Sequence, residues 1–436
     1  MMTTKYSGLI ILAVSFLTAF GIIPSYGQTA IETYTKQKSV EIKTVEPGGE
    51  GYDDLQPVGD AIGDSRVVMI GEQGHGDGTT FLAKSRLVKY LHEKKGFDVL
   101  AFECDFFGLN AGWDGLKKDQ FSINDFILKN IYMVWSVCES CSYLFYNYLP
   151  GTYKSNNNLI ISGFDCHQYQ DFSVKNLPKM LDSVLKQDDL PITKMANYSS
   201  EILPLINSSL TWVQQTSQKV KIEAVNQGID YLDLIKQELI AKEGVDNFWV
   251  LVVDNMIEQA NDAKEQLTTG KITVNNRDAQ MAKNLAWLIN TKYKDRKIIV
   301  WAANSHIARS LTSVNDTIFK TAHPMTEDLI PRLSNKEKIY ILGFTSFGGT
   351  THRFGRDARD FKQADENNFE SWINEKKYSF AFLDFSGFNA EETNSNAKFL
   401  MAPLGHYSVN GLWNKMFDGI FYIQQMSPCV ALEHHP

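Results

Sequence analysis

The sequence has few cysteines and no strongly basic segment, which excludes several classes of protein at the outset. Five cysteines in 436 residues are too few for a fold built on disulfides. The formal net charge is −8, and acidic and basic residues are mixed along the chain, so nucleic acid and anionic membrane surfaces are not expected as partners. We therefore expect a globular protein that binds neither nucleic acid nor an anionic membrane surface.

The short motifs of several common enzyme classes are also absent. A nucleophilic serine would need a G-x-S-x-G turn, phosphate binding a Walker-type loop, dinucleotide binding G-x-G-x-x-G, and a zinc protease H-E-x-x-H; none occurs. Cys104 and Cys166 follow predicted strands, but each adjoins an acidic residue, which disfavours the thiolate form. What remains is the chemistry of histidines and carboxylates.

Residues 1–27 are expected to be a signal peptide. Lys5 supplies a positive charge, residues 9–23 form an apolar run that is short for a membrane span, and small residues occupy the −3 and −1 positions before Gln28. An uncleaved membrane anchor is the alternative. Because neither a lipid-attachment cysteine nor a second long apolar run follows, we expect an exported protein, periplasmic or secreted, that does not contact the membrane after cleavage.

Four apolar runs have the pattern of buried parallel strands, and polar residues follow each of them. Ligands of open α/β sheets bind outside the carboxyl ends of the strands. We therefore expect these polar residues to meet at one sheet edge. They are Glu72 and His75 after the run at 67–70, Glu103 after 98–102, Asp165 and His167 after 159–164, and Asn304 and His306 after 297–303.

The predicted fold class is α/β, with a central, mostly parallel sheet flanked by helices and a helical insertion over the carboxyl edge of the sheet. We expect a loosely structured lead-in over 28–60, the first part of the α/β core over 61–185, and its second part over 293–436. Long stretches at helical spacing predict the insertion over 186–292. Such an insertion either roofs the substrate pocket or only adds packing.

Two smaller features leave alternatives open. Cys138 and Cys141 have C-x-x-C spacing, which fits a local disulfide or two buried thiols, whereas nothing nearby completes a zinc or redox site. Lys84 lies on the apolar face of a predicted helix, in i, i+3, i+4, i+7 register with Leu87, Val88 and Leu91. It is either a lysine at the edge of the core or a cation at the mouth of the site.

Two blocks of sequence point to a known family. They are GEQGHG at residues 71–76 and, after an amphipathic helix, GFDVLAFE at residues 96–103. Together they resemble the signature of the erythromycin esterase family, over most of the chain after residue 45. Shorter patterns resemble the family too: MVW at 133–135, GFD at 163–165, NRD at 276–278 and GFT at 343–345.

The resemblance implies a hydrolase that cleaves a carboxylic ester or a macrolide lactone by histidine-assisted attack of water, without a cofactor. It makes His75 the general base, with Glu72 and Glu103 orienting the base or the water. Lys84 would steady the developing oxyanion. The resemblance also places three further residues at the substrate: Asp165, Arg277 and Asn304.

One departure from the family pattern bears on activity. His306 matches the second histidine of a pattern that many relatives have as His-Asn-x-His, whereas Ala303 replaces the first. If that first histidine helps to activate water, His167 or His352 could stand in for it, or the protein could bind its ligand with little turnover.

A metal-dependent function is a further alternative. Distant relatives with a similar glycine-rich turn are linked to metal- or haem-dependent roles. Glu72, His75, Glu103 and His306 are chemically adequate ligands for a divalent metal.

Overall fold

The computed structural model describes residues 26–49, 51–155, 157–215, 220–271, 274–334 and 337–433. The predicted signal peptide therefore lies outside the described residues, apart from its last two positions. Among the described helices, none is long and apolar enough to cross a membrane.

The described chain contains two sheets and many helices. The strands are β1 Val40–Ile42, β2 Val67–Ile70, β3 Phe97–Asp105, β4 Ile160–Asp165, β5 Lys297–Trp301, β6 Ile339–Thr351, β7 Arg359–Phe361, β8 Phe380–Asp384, β9 Phe399–Met401, β10 Val409–Gly411 and β11 Gly419–Met426. The α-helices are α1 Tyr26–Lys38, α2 Gln56–Ile62, α3 Gly78–Lys95, α4 Trp113–Gly115, α5 Gln120–Asn130, α6 Met133–Ser136, α7 Glu139–Ser142, α8 Leu149–Lys154, α9 Asp171–Gln187, α10 Leu203–Ser208, α11 Trp212–Gln215, α12 Ile222–Glu243, α13 Phe248–Thr269, α14 Val274–Trp287, α15 Asn304–Ile307, α16 Met325–Leu329, α17 Phe369–Asn374, α18 Ser386–Asn389 and α19 Trp413–Met416.

The main sheet is mixed and mostly parallel, which confirms the predicted fold class. Its strand order is β1-β8-β11-β6-β2-β5-β3-β4, with β7 paired to β6. The strands from β11 to β4 in this order run parallel to one another. At the other end, β8 runs antiparallel to β11, and β1 antiparallel to β8. Strands β9 and β10 form a separate antiparallel pair.

Strand β2 lies at the centre of the sheet, and both of its faces are covered. Val67 and Met69 belong to one hydrophobic cluster, while Val68 and Ile70 belong to the cluster on the other face. This is why the strand is a continuous apolar run rather than an alternating one. Helix α3 follows it and ends at Gly96, whose left-handed φ of 74° suits a glycine at the helix C-terminus.

The expectation of a loosely structured lead-in over 28–60 is wrong. Helix α1 packs into the core through Ile31, and the Tyr34 hydroxyl donates a hydrogen bond to the carbonyl of Asp384. Strand β1 pairs with β8, with Val40 opposite Phe382. A strand of three residues shows too little periodicity to be predicted, so only its partner in the fold reveals it.

Helices occupy most of residues 186–292, between β4 and β5, as the sequence predicted. The long helices α12 and α13 pack against each other, and α14 contacts both α13 and strand β4. Through α13 and α14 the insertion reaches the carboxyl ends of the parallel strands. It can therefore contribute side chains to a site at that edge.

Candidate active site

The glycine-rich turn after β2 holds Glu72 and His75 in direct contact. His75 Nδ1 lies 2.7 Å from Glu72 Oε1. Side chains would not fit at two of the glycines: a Cβ atom on Gly71 would lie 1.8 Å from Asn304 Oδ1, and one on Gly76 would lie 2.4 Å from the backbone carbon of His352. The turn is thus wedged between two neighbouring loops, which fixes the position of the pair.

Glu72 is fully buried, and its carboxylate has three donors. Besides His75, Lys84 Nζ lies 2.6 Å from Oε2, and the Trp135 indole donates to Oε1 at 3.2 Å. An ionised carboxylate can only accept hydrogen bonds, so His75 presents Nδ1–H to it. The lone pair of His75 is then on Nε2, which has no hydrogen-bond partner in the described part of the chain.

Lys84 does not lie at the mouth of the site, so the predicted contact with an oxyanion is corrected. The lysine is buried behind Glu72, with Nζ 4.1 Å from the centre of the Trp301 ring. Burial lowers the pKa of Lys84, and the carboxylate of Glu72 opposes that shift. Because the apolar face of α3 packs on the sheet, a lysine on that face points behind the turn, where it balances the charge of Glu72.

Glu103, near the end of β3, is the centre of a second charged cluster. Its Oε1 lies 3.0 Å from Arg277 Nη2 and 3.2 Å from His306 Nε2, and its Oε2 accepts the Ala303 backbone N–H at 2.9 Å. Burial alone would raise the pKa of this carboxyl. The positive charges of His306 and Arg277 outweigh burial and hold the pKa well below its usual range, so Glu103 is ionised.

His306 lies between two acids and is a cation rather than a base. Its Nδ1 is 2.6 Å from Asp278 Oδ1, while its Nε2 faces Glu103. Burial lowers the pKa of His306, but Asp278 and Glu103 outweigh it and raise the pKa to about 10. At neutral pH the imidazole therefore carries its proton and cannot accept one from water.

Arg277 joins the helical insertion to the sheet edge. From α14 its Nε lies 3.0 Å from Asp165 Oδ1 and its Nη2 2.7 Å from Asp165 Oδ2, and the Tyr132 hydroxyl donates to the same Oδ2. Burial disfavours the charge of Asp165, but Arg277 keeps the pKa of this carboxyl below its ordinary value. The guanidinium thus bridges two carboxylates, Asp165 and Glu103.

These side chains line a cavity of about 590 Å³ between the sheet edge and the helical insertion. One wall is aromatic: the Tyr132 ring stacks on Trp135 at 6.1 Å and on Tyr169 at 5.8 Å between centroids. A cavity of this size holds a small organic molecule. Its lining consists of His75, Glu103, Tyr132, Met133, Val134, Trp135, Asp165, His167, Tyr169, Gln170, Arg277 and Arg353.

Of the residues proposed from the sequence, the structure brings Glu72, His75, Glu103, Asp165, Arg277 and His306 together. Asn304 does not reach the cavity: its amide nitrogen donates to the Phe344 and Pro403 carbonyls, and its oxygen accepts the Phe344 N–H. It holds neighbouring loops together, so the expected contact with substrate is corrected. A polar residue at a strand end can face the loops behind it as readily as the pocket.

The two histidines considered as substitutes have other contacts. His167 lines the cavity, but its Nε2 lies 2.7 Å from Asp262 Oδ2 on α13. His352 lies outside the lining, with Nδ1 3.1 Å from the Cys429 carbonyl oxygen. Neither occupies a position equivalent to that of His75.

Four residues of the candidate site escaped prediction as individuals. Trp135, Tyr132 and Asp278 lie within or beside the patterns MVW and NRD, which supplied a signal, but their contacts with Glu72, Asp165 and His306 join distant segments. Arg353 gave no signal at all, because its loop reaches the pocket only in the folded chain.

The cysteines differ from both alternatives considered for the C-x-x-C pair. Cys138 forms a disulfide with Cys429, 291 residues away, and Cys141 is a buried free thiol. No local spacing could indicate so distant a partner. Burial, and then the neighbouring aspartates, raise the pKa values of Cys104 and Cys166 well above the ordinary range, which makes both thiols poor nucleophiles.

Of the proposed metal ligands, Glu72, Glu103 and His306 already contact other partners. Cations and N–H donors engage Glu72 and Glu103, as described above. Within the described ranges, no group of three or more histidine, cysteine or acidic side chains is arranged so that it could hold a metal ion.

Known proteins are similar to this chain in sequence and in fold. The family model for erythromycin esterase matches residues 92–426. The chain is 23% identical over 414 residues to a Bacillus subtilis protein described as "Putative hydrolase YbfO", covering 87% of this chain and 88% of that one. It is 25% identical over 446 residues to "Erythromycin esterase type II" of Escherichia coli, covering 91% and 98%. A solved mutant of erythromycin esterase EreC in its open conformation shares the fold, with a TM-score of 0.67 at 16% identity over 89% of this chain and 98% of that one.

Proposed function

Because the chain belongs to the erythromycin esterase family, we propose that it hydrolyses a carboxylic ester or lactone by attack of a water molecule that His75 activates. The observation that carries this proposal is the state of the His75 ring. Glu72 holds Nδ1, while Nε2 has no hydrogen-bond partner among the described residues, on a ring that lines the cavity. A histidine held in this way can present the lone pair of its other ring nitrogen to a water molecule.

Glu72 has two roles in this mechanism. It fixes the ring orientation and the tautomer, and it stabilises the imidazolium that forms when Nε2 takes the proton. Lys84 and Trp135 keep the carboxylate in place. The positions of these side chains and their charges are therefore fixed before the substrate binds.

Arg277 is the best-placed group to stabilise the oxyanion. It lines the cavity, and its Nε and Nη2 are bound to carboxylates, whereas Nη1 has no hydrogen-bond partner in the described residues. We assign Nη1 as the donor to the carbonyl oxygen as negative charge develops there. His306, through Glu103, contributes a nearby positive charge but takes no proton from water.

The test is hydrolysis of a panel of aryl esters, small lactones and large-ring lactones, with mass spectrometry for the addition of one water. We expect addition of water to at least one member, insensitivity to EDTA, and turnover about 10²–10⁴-fold lower with His75→Ala. Activity that EDTA abolishes and added metal restores would favour the metal-dependent alternative. Binding without addition of water would favour a weakened binding protein, the alternative that Ala303 keeps open.

We also propose that the chain is exported. The Cys138–Cys429 disulfide supports export, because disulfides persist in oxidising compartments such as the periplasm and the extracellular space. The proposed leader and the disulfide are independent features of the sequence and the fold. Both are expected of a protein in the periplasm or outside the cell.

A further inference from the structure

One charged side chain in the lining of the active-site cavity has no ion-pair partner among the described residues. The acids and histidines of the lining are paired, and Arg277 is shared between two carboxylates. Arg353 differs from them. In the part of the chain that the structure describes, its guanidinium has neither an ion pair nor a hydrogen bond, although it lines the cavity.

The backbone at Arg353 is anchored against the turn that carries His75. The His352 N–H donates to the Gly76 carbonyl at 3.1 Å, and His352 Nδ1 lies 3.1 Å from the Cys429 carbonyl oxygen. A Cβ atom on Gly76 would lie 2.7 Å from the Arg353 nitrogen, so only glycine allows this close approach. The arginine is therefore held beside the proposed base, while its side chain is exposed at the mouth of the cavity.

An arginine in this position suits a particular kind of ligand. The planar guanidinium offers parallel N–H donors that match the two oxygens of a carboxylate. The charges deeper in the cavity are already paired with one another, so they give an anionic group no uncompensated partner. The aromatic wall of Tyr132, Trp135 and Tyr169 accommodates an apolar body between the mouth and the base.

We propose that Arg353 determines specificity by binding a carboxylate on the substrate, so that this protein prefers esters bearing an anionic group away from the scissile bond. This inference rests on the proposed ester hydrolysis and names its substrate class. The carboxylate binds at the mouth, on the loop between β6 and β7, and the ester carbonyl lies farther in, beside His75 and Arg277. A substrate with a cationic group at the same place is disfavoured.

Two esters of equal shape test the proposal: 4-acetoxybenzoate, which carries a carboxylate, and 4-acetoxybenzamide, which is neutral. Arg353→Gln should lower kcat/KM for the benzoate about tenfold, between the effect of an exposed ion pair and that of a desolvated one, and should leave the benzamide unchanged. Comparing variant with wild type on each ester cancels the difference in intrinsic reactivity. Arg353→Lys keeps the positive charge but loses the paired N–H donors of the guanidinium. It should lower kcat/KM for the benzoate by less than Arg353→Gln does.

Arg356→Gln is the matched control, because Arg356 is exposed on the same loop but does not line the cavity. It removes the same charge and should leave kcat/KM for both esters unchanged. If Arg353→Gln lowered kcat/KM equally for both esters, the residue would stabilise the transition state rather than bind the carboxylate. If Arg353→Gln and Arg356→Gln lowered kcat/KM for the benzoate equally, the effect would be a long-range electrostatic one. Either result overturns the proposal.

A binding measurement separates this inference from the proposed function. Calorimetric titration with 4-hydroxybenzoate and 4-hydroxybenzamide should show tighter binding of the benzoate to wild type, and Arg353→Gln should abolish that preference. If wild type cleaves no member of the panel, the hydrolase proposal fails while the titration still decides the role of Arg353. Equal affinities for the two ligands in wild type would overturn the inference itself.

Discussion

The buried pair of Glu72 and Lys84 gives a prediction that separates folding from catalysis. Glu72→Gln removes the negative charge and leaves the Lys84 ammonium buried, with no charge to balance it at 2.6 Å. Breaking a buried pair in this way costs about 3–5 kcal/mol of unfolding free energy. Because folded proteins are typically stable by about 5–15 kcal/mol, the variant should fold but be much less stable.

The double variant Glu72→Gln with Lys84→Met should behave differently in the two respects. It removes both charges while keeping similar volumes, so most of the lost stability should return. Turnover should stay about 10²–10⁴-fold below wild type in both variants, because His75 has lost the carboxylate that stabilises its imidazolium. Stability and turnover are then uncoupled.

Denaturant unfolding followed by tryptophan fluorescence, together with turnover of an ester from the panel, provides the measurement. Asp54→Asn is the control: it breaks another buried pair, with Arg86 Nη2 2.6 Å from Asp54 Oδ1, away from the cavity lining. That variant should lose stability and keep its turnover after allowance for the folded fraction. Recovery of turnover in the double variant would refute the role assigned to Glu72.

Three further predictions concern other parts of the molecule. Cys429→Ser removes the disulfide with Cys138 and should lower the unfolding free energy by about 2–5 kcal/mol. It should also lower turnover, because Cys138 lies in the segment that carries Trp135. Chemical unfolding at the same denaturant concentration as the oxidised wild type would contradict this prediction. Burial raises the pKa of Glu370 from an ordinary 4.5 to about 7. The stability that its protonated form contributes is therefore present below the lower value and is lost as the pH rises through the higher one, by up to about 3 kcal/mol. Glu370→Gln should remove this part of the pH dependence between pH 4.5 and about 7, and an unchanged dependence would count against it. Cys104→Ser and Cys166→Ser should leave turnover nearly unchanged, since loss of activity in either variant would indicate a thiol nucleophile.

The sequence was sufficient to predict the central strands of the sheet, because these strands are buried on both faces. The apolar runs at Val67–Ile70 and Lys297–Trp301 have the length and composition of strands in a parallel sheet that is covered on both faces. Edge strand β1 was missed, since it has three residues and one of its long sides is open. The length of a strand and the burial of its side chains thus decided whether its hydrophobic pattern could be recognised in the sequence.

Residues of the candidate site were predictable where they are close in sequence or follow the carboxyl ends of neighbouring parallel strands. Glu72 and His75 share one turn, and Glu103 and His306 end neighbouring parallel strands. The direction of a side chain was not predictable: Lys84 and Asn304 were expected in the pocket, but both face other parts of the structure. Contacts between distant loops, such as the one that brings Arg353 to the pocket, have no local signal in the sequence.

The central claim, that His75 is the base, is tested most directly by comparing two histidine-to-alanine variants on the same ester. His323 is the control, because its side chain is 44% exposed and lies outside the cavity lining. The account predicts that both variants unfold at nearly the denaturant concentration of wild type. It also predicts that His75→Ala loses about 10²–10⁴-fold in turnover, the usual contribution of a general base, while His323→Ala keeps its turnover. Near-normal turnover by His75→Ala at the pH optimum would contradict the account.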